Sequence, residues 1–404
     1  MSSSLPRVLL CLPQMPQDPA SGAARSLSTI CGILAASGFD VRGIGTTASE
    51  GGANADPLSL LLALGIHPQK DSARSEGRVR SELRYTHRGV GYHLLHVGAR
   101  TPWTWEPIHG RQFDRIFDEA LRDFRPDILF TFGGTPGDRR RRERARRQGA
   151  KVVFGLRNEG YLTSDFFDDT IDAVFTPSQF LSDLYRRAIG LESTPIPTPI
   201  ELADVVAEDH DPILFTMINP SREKGVMVVA RLAEELSVRR PDIPLLFIES
   251  RGSGGLLVAA GLAGGFDLRR HENLMFSPSV PRPKDIFAPT RALLVPSVWQ
   301  EAFGRVAAEA LLNGIPPIVS DRGGLPEACN GAGFVMPLPP EVTPETEHPV
   351  EPEVVAPWIE LIERLEGDAA FYAEEVERAR QASAAYRPET LAPRYVEYFG
   401  NIAD

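Results

Sequence analysis

The chain has 404 residues, which is longer than one hydrophobic core usually supports, so we expect two domains. Its hydrophobic content of 42% and charged content of 24% are ordinary for globular proteins, and no apolar run is long enough for a transmembrane helix. The net charge of −11 is uneven: residues 1–200 hold 25 Lys and Arg against 22 Asp and Glu, and the remainder hold 18 against 32. So acidic a second half argues against a nucleic-acid-binding protein.

The cysteines and the N-terminus indicate the compartment. Cys11, Cys31 and Cys329 lie far apart and match no metal-ligand spacing, which is typical of a reducing environment. The first seven residues lack the apolar core of a signal peptide. We therefore expect a cytoplasmic protein.

The chain begins with a strand, a loop, a helix and a second strand. Residues 7–12 form a short apolar run, 13–22 a proline-rich loop, and a helical pattern follows until Gly38, before a strand at 39–44. This order is typical of a doubly wound α/β unit. The loop lacks G-x-G-x-x-G, so it is not a dinucleotide-binding fingerprint.

The next segment predicts a short helix at 58–64 within mixed sequence, then a β-hairpin. Residues 82–87 and 90–96 are strand-like runs on either side of Arg88-Gly89. His93 and His96 are three apart on one strand and would lie on opposite faces. We therefore do not expect them to bind a metal ion together.

A helix with many arginines follows a helix at 113–124 and a strand at 127–132. Residues 138–148 hold seven arginines and one glutamate. Two interpretations stay open: a solvated helix face, or a basic patch at 139–147 for an anionic acceptor or for peripheral contact with the inner membrane face. Its apolar content is too low for an amphipathic anchor.

The first half closes with strands at 151–156 and 172–177 and a helix at 179–187 capped by Ser178. Residues 193–212 are rich in proline and acidic residues and form the clearest linker. We place the first domain at 1–200 and the second at 211–385, and assign the final helix at 388–404 to the first.

The second domain opens with a strand at 213–218 and a turn into a long helix. Lys224 lies in this turn, where its ammonium group and the helix N–H groups can neutralise a diphosphate. The alternative is a simple surface lysine. Strands follow at 245–249 and 274–276.

The most informative stretch runs from 292 to 327. A buried strand is followed by a loop with Glu301, and Gly304 marks the entry into a helix that contains Glu309 and ends at Gly314. The first N–H groups of this helix form an anion site, and Gly304 allows close approach of a ligand. Glu309 can accept hydrogen bonds from two ribose hydroxyls, and Glu301 can contact a sugar beyond the phosphates. The alternative is an amphipathic helix with two solvated glutamates.

This stretch resembles the Glu-x7-Glu signature of retaining glycosyltransferases of family four. The match includes Pro-Ser-x-Trp-x-Glu-x-Phe-Gly at 296–304, Glu-Ala-x-x-x-Gly-Ile-Pro at 309–316 and Ser-Asp-x-Gly-Gly-x-Pro-Glu at 320–327. The resemblance covers nearly the whole chain and is strongest from 213 to 330. It implies the α/β GT-B fold: two doubly wound Rossmann-like domains facing a cleft, with the C-terminal helix crossing back to the first domain.

The resemblance also implies roles for individual residues. The donor-binding candidates are Gly22, Asn219, Arg222, Lys224, Val280, Glu301, Ala302, Phe303, Gly304, Arg305, Val306 and Glu309. The acceptor-binding candidates are Arg25, Asn158 and Tyr161, and the catalytic candidates are Lys224, Glu301 and Arg157. A plain turn with a surface arginine is the alternative for Gly22 and Arg25.

Two positions depart from the family pattern. The family usually has histidine where this chain has Arg157; arginine cannot act as a base, but it can stabilise a leaving phosphate or bind an anionic acceptor. The family commonly has Gly-Arg ahead of the lysine, whereas this chain has Asn219, so Arg222 is the candidate for the missing charge.

The resemblance implies a metal-independent hexosyltransferase without a cofactor, which transfers a sugar with retention from a nucleotide-diphosphate sugar, UDP- or GDP-linked, to an acceptor that the sequence does not identify. The alternatives are a nucleotide-sugar epimerase or pseudo-glycosyltransferase on the same fold, and a non-catalytic sugar- or lipid-binding protein. We expect no nucleic-acid partner.

Overall fold

A computed structural model describes residues 5–18, 21–50, 56–75, 78–98, 100–162, 165–250, 252–280 and 282–403. The chain divides into two compact units, each built on one sheet. Unit 1 comprises Met1–Pro177, Ser182–Pro199 and Pro388–Asp404, and unit 2 comprises Ser178–Leu181 and Ile200–Arg387.

Unit 1 contains a nine-stranded sheet in the order β3-β4-β5-β2-β1-β6-β7-β8-β9. Its strands are β1 (Arg7–Cys11), β2 (Asp40–Thr46), β3 (Gln69–Ser75), β4 (Arg78–His87), β5 (Val90–Leu95), β6 (Ile128–Thr131), β7 (Lys151–Gly155), β8 (Ala173–Thr176) and β9 (Thr194–Pro195). The β3–β4 and β4–β5 pairs are antiparallel, and the other neighbouring pairs among these strands are parallel. The predicted hairpin is confirmed, with positive φ at Arg88 (52°) and Gly89 (76°). Strand β3 falls in a segment whose mixed pattern did not predict it.

Helices cover both faces of this sheet. They are α1 (Gly22–Ala36), α2 (Pro57–Ala63), α3 (Glu106–Phe124), α4 (Pro136–Arg147), α5 (Gln179–Ile189), whose first residues are grouped with unit 2, and α14 (Pro388–Ala403). Helix α14 packs against α1, and its Leu391, Tyr395 and Phe399 are fully buried in the core of unit 1. The return of the last helix to the first domain is therefore confirmed.

Unit 2 contains a six-stranded sheet in which every neighbouring pair is parallel. Its strands are β10 (Leu214–Ile218), β11 (Leu245–Ile248), β12 (Leu274–Ser277), β13 (Thr290–Val295), β14 (Pro317–Ser320) and β15 (Phe334–Met336). The order β12-β11-β10-β13-β14-β15 is that of a doubly wound nucleotide-binding sheet, with the strand order reversing between β10 and β13. Ligands bind such sheets at the carboxyl ends of the strands beside this reversal.

The helices of unit 2 bury both faces of its sheet. They are α6 (Leu202–Val205), α7 (Val226–Arg239), α8 (Gly254–Ala263), α9 (Lys284–Phe287), α10 (Arg305–Leu312), α11 (Leu325–Ala328), α12 (Pro352–Gly367) and α13 (Ala369–Ala382), with 3-10 turns at Leu268–Arg270 and Ser383–Tyr386. One core joins α7 and α12 to one face, and another joins α10 and α13 to the other. The α/β doubly wound class is thus confirmed for both units.

The arginine-rich helix α4 buries one face in unit 1 and exposes the other. Arg141 and Arg142 are each 1% exposed. Arg141 forms ion pairs with Glu106, Asp114 and Asp138 at 2.9–3.1 Å. Arg139, Arg140, Arg146 and Arg147 are exposed, which agrees with a solvated helix face, whereas Arg141 and Arg142 at the centre of the run are buried. The basic patch for an anionic acceptor or for membrane contact stays a prediction for the exposed arginines.

Within the described ranges, every helix is too short or too polar to traverse a lipid bilayer.

Candidate functional site

Two of the donor-site candidates, Lys224 and Glu301, meet at the strand reversal of unit 2. Lys224 lies in the loop after β10, and Glu301 lies in the loop after β13. These two strands are hydrogen-bonded neighbours, so their following loops start side by side at the carboxyl edge of the sheet. This edge is the usual ligand position in doubly wound sheets.

The two loops are packed directly on each other. Gly225 has φ of +84°, and a Cβ atom there would overlap the carbonyl oxygen of Pro296. The backbone N–H groups of Val298 and Trp299 both donate to the carbonyl oxygen of Glu223, at 3.1 and 3.2 Å. The glycine therefore allows the lysine loop to close against the glutamate loop.

Lys224 and Glu301 form an ion pair between their side chains. The same Glu301 oxygen, Oε1, accepts a hydrogen bond from Ser297 Oγ at 2.7 Å. The side chains of Lys224 and Glu301 are 26% and 14% exposed, so both charges stay partly accessible. The pair thus places a cation and an acceptor group next to each other at the sheet edge.

Two consecutive glycines, Gly323 and Gly324, contact the backbone of Glu301. Gly324 N donates to Glu301 O at 2.6 Å. Gly323 has φ of +62°, and a Cβ there would overlap the backbone of Glu301. Neither these glycines nor Ser297 received a role from the sequence, although the Ser-Asp-x-Gly-Gly motif contains both glycines.

Helix α10 starts at Gly304 with the geometry that the sequence predicted. Gly304 is the N-cap with φ of +97°, and a Cβ there would lie 2.7 Å from Leu325 Cδ2. Arg305 Nε donates to Glu309 Oε1 at 2.7 Å, and Glu309 is 4% exposed. Val306 is half-buried in the first turn. The helix start thus has the predicted glycine entry, and Glu309 is held by an arginine one turn earlier.

Three other donor candidates make contacts within the protein through a side chain or a carbonyl group. Asn219, with φ of +63°, is buried and its Oδ1 accepts from Gly252 N at 2.6 Å. Phe303 is 4% exposed and its ring packs edge-on against Tyr386, so its side chain belongs to the core. The carbonyl of Ala302 accepts from Ser178 Oγ at 2.5 Å.

The remaining donor candidates of unit 2 differ in exposure. Arg222 is exposed, and its Nη1 lies 3.4 Å from Thr346 O. Val280 is half-buried and packs against Ile286 and neighbouring strand residues, while Pro281 lies outside the described residues. Arg222 is therefore exposed enough to contact a phosphate, whereas Asn219 is buried.

Arg157 lies just after β7 in unit 1 and is held by its own unit. Its Nη1 is 3.4 Å from Thr198 Oγ1, and its guanidinium lies over the Phe175 ring at 4.8 Å. It also lies close enough to Tyr395 of α14 to interact with it electrostatically. Residues from three parts of unit 1 therefore surround Arg157.

Asn158 and Tyr161 share one hydrogen-bond partner in unit 1. Tyr185 Oη donates to Asn158 O at 2.9 Å and accepts from Tyr161 N at 3.2 Å. Burial raises the pKa of Tyr185 to about 12, so this hydroxyl stays protonated at neutral pH. Burial also raises the pKa of Glu159, a carboxyl group in the same turn that the sequence did not single out.

Gly22 and Arg25 lie in the first turn of α1. Ser21 caps this helix through a 3.4 Å hydrogen bond from Ala24 N to its Oγ. Gly22 is exposed, and a Cβ there would meet no atom within 4 Å. Arg25 is half-buried. The helix start is thus open above Gly22.

Comparison with known protein families gives a match within unit 2. Residues 200–337 match the family model described as "Glycosyl transferases group 1", a segment that includes both Lys224 and Glu309. A D-inositol 3-phosphate glycosyltransferase of Corynebacterium jeikeium (strain K411) is 35% identical over 122 residues, and the match spans 27% of this chain and 27% of that relative. The chain thus matches about a quarter of that relative's length.

Solved structures are similar over almost the entire chain. A glycosyltransferase from Rickettsia africae ESF-5 has a TM-score of 0.67 at 14% identity and covers 98% of each chain. Anabaena Alr3699/HepE in complex with UDP and glucose has a TM-score of 0.64 at 15% identity, covering 98% of this chain and 99% of that one. Starch synthase IV of Arabidopsis thaliana bound to ADP and acarbose has a TM-score of 0.62 at 13% identity, covering 98% and 100%. These likenesses confirm the GT-B fold class.

Proposed function

We propose that this chain is a glycosyltransferase whose unit 2 holds a nucleotide-diphosphate sugar. The observation that carries the proposal is the meeting of Lys224 and Glu301, from loops after β10 and β13, at the strand reversal of a doubly wound sheet. The match of residues 200–337 to group 1 glycosyl transferases supports it.

Each part of the donor meets a group of matching chemistry in this proposal. The diphosphate binds at the N-terminus of α10 and to the Lys224 ammonium, with Arg222 as a second cation. Glu309 accepts hydrogen bonds from the ribose hydroxyls after exchanging its contact with Arg305. Glu301 orients the transferred sugar. Donor binding therefore separates the Lys224–Glu301 pair and turns both groups toward the ligand.

The transfer step breaks the bond between the anomeric carbon and the phosphate oxygen and forms a bond from that carbon to the acceptor oxygen. Lys224 and the helix amides stabilise the negative charge that develops on the leaving diphosphate. The acceptor hydroxyl gives its proton to the leaving phosphate oxygen, and the attack takes place on the face that the phosphate leaves. The configuration is thus retained without a protein nucleophile.

We propose that this chemistry is metal-independent and that the enzyme is a hexosyltransferase. The positive charge that the leaving diphosphate needs is provided by Lys224, Arg222 and the start of α10. UDP or GDP is the proposed nucleotide, and UDP is favoured because the similar Anabaena protein was solved with UDP-glucose. The acceptor site is assigned to unit 1, with Arg25, Asn158, Tyr161 and Arg157, and Gly22 is proposed as a further donor-binding residue.

The test combines transfer with stereochemistry. The protein is incubated with α-linked UDP-glucose or GDP-mannose and a panel of hydroxyl acceptors, and the product is examined by proton NMR. We expect a glycoside with the α configuration. A β-linked product would overturn the retaining mechanism, and rapid release of free epimerised sugar without acceptor would indicate an epimerase instead.

A further inference from the structure

A groove of about 520 Å³ lies on one face of the unit 1 sheet. Helix α3 covers this face over β1 and β2, where Leu9 and Ile44 pack against it. Strand β5 still contacts α3, and β4 and β3 lie further toward the edge of the sheet. The groove therefore forms between the flank of α3 and the uncovered part of the sheet.

The floor of the groove is built from two rows of paired residues across β2, β5 and β4. The first row is Arg42, Gly91 and Thr86, and the second contains His93 and Arg84. Arg42, Gly91, Thr86 and Arg84 are exposed. A Cβ at Gly91 would meet no atom within 4 Å, so the missing side chain leaves a hollow between its neighbours.

The lining carries charges of both signs and many hydrogen-bonding groups. Arg42 and Arg84 contribute cations from the floor, and Glu119 and Asp123 contribute carboxylates from the α3 wall. Arg84 also forms ion pairs with Asp71 and Glu82, each at 3.4 Å. The guanidinium carbon of Arg42 lies 4.4 Å from the centroid of the Phe124 ring, and Phe124 also lines the groove. A strongly anionic ligand would meet two carboxylates and a strongly cationic one two guanidinium groups.

We propose that this groove binds a neutral oligosaccharide. Sugar hydroxyls both donate and accept hydrogen bonds, which matches a lining of Arg, His, Gln and Thr facing Glu and Asp. The volume lies within the ~300–1,000 Å³ range of small-ligand sites. The ligand is a carbohydrate chain held along the sheet face of unit 1.

This inference goes beyond the proposed transfer reaction and does not depend on it. The floor uses β2 at residues 42–44, short of the carboxyl end of that strand at Thr46, whereas the transfer candidates follow strand ends. The groove can therefore be tested in the full chain without any donor nucleotide.

The experiment measures binding of maltohexaose, cellohexaose, xylohexaose and chitohexaose by isothermal titration calorimetry, with a heparin hexasaccharide as the anionic comparison. We expect saturable binding of at least one neutral probe. Gly91→Leu should weaken it by about tenfold or more, because a Cβ at this position meets no atom within 4 Å and the larger side chain occupies the hollow.

Two further variants separate blocking from misfolding. Thr86→Leu enters the same hollow from the neighbouring strand and should also weaken binding. Gly400→Ala in α14, where a Cβ also meets nothing within 4 Å, should leave binding unchanged. UDP binding serves as the readout for the proposed function and should be equal in all three variants.

The proposal is overturned by any of three results. These are no saturable binding of the four neutral probes, equal binding in Gly91→Leu and the unaltered chain, or tighter binding of the heparin probe than of each neutral one. Loss of UDP binding in the unaltered chain would instead count against the proposed function alone.

Discussion

Replacing Lys224 by alanine is the perturbation that most sharply separates a catalytic pair from a structural ion pair. The Lys224 side chain is 26% exposed and pairs with the Glu301 side chain, which is 14% exposed and also accepts a hydrogen bond from Ser297. Partial exposure reduces the value of such a pair, so the loss of stability should be about 1 kcal/mol or less.

The effect on transfer should be much larger than the effect on folding. If the Lys224 ammonium stabilises the leaving diphosphate, its removal takes away one preorganised donor. Such losses typically lower kcat by about 10²–10³-fold, or ~3–4 kcal/mol. The expected signature is therefore a large fall in kcat with a small fall in unfolding free energy.

The assay is steady-state transfer with a saturating donor, alongside chemical denaturation of the same samples. Lys151→Ala, an exposed lysine at the start of β7 in unit 1, is the matched control and should change neither quantity. Glu301→Gln completes a double-mutant cycle with Lys224→Ala. Retention of more than about a third of kcat in Lys224→Ala would refute the assignment, since the expected loss is ~10²-fold.

Three further predictions concern the surroundings of this pair. Glu309→Ala should mainly raise the donor KM, because it removes ribose contacts made equally in the ground and transition states; a fall in kcat at unchanged KM would contradict this. Gly225→Ala should destabilise the chain by about 2–4 kcal/mol in urea titration, because positive φ and overlap with Pro296 add; a wild-type midpoint would show that the loops are not closely packed. Arg141→Ala should lower the unfolding free energy by about 3–5 kcal/mol, because it leaves the buried Asp138 carboxylate without its cation. Arg147→Ala, at an exposed arginine, should change it by no more than ~0.5 kcal/mol. Equal effects of the two substitutions would disprove the buried network.

The sequence predicted the elements of unit 2 well because its signals are local. A glycine that must adopt positive φ at a helix start, such as Gly304, is visible in one chain, and so is a lysine in a strand-to-helix turn. The strand runs of unit 2 are continuous and apolar because parallel strands are buried on both faces. These patterns placed Lys224, Glu301 and α10 on the correct elements.

Partnerships between distant residues were beyond the sequence. Nothing in the run of seven arginines shows that Glu106 and Asp114 neutralise Arg141 from another helix. Ser297 also gives no sign in the sequence that it would bind Glu301. In each case tertiary contacts decide whether a charged residue is buried or exposed.

The edge of the unit 1 sheet shows the same limit for secondary structure. Strand β3 (Gln69–Ser75) is polar and pairs only with β4 in the described sheet. Residues 69–72 of this edge strand are all exposed, so it lacks the apolar run by which buried strands are recognised. The groove beside it therefore became visible only in the structure.

The most direct test of the central claim is calorimetric titration of the chain with UDP-glucose, GDP-mannose, ADP-glucose and TDP-glucose. We expect at least one donor to bind. At a concentration a hundredfold above its Kd, that donor should raise the unfolding free energy of the protein by about 2.7 kcal/mol. Binding should weaken markedly in the Lys224→Ala and Glu309→Ala double variant. Absence of binding by all four donors, or equal binding by the double variant, would contradict the account.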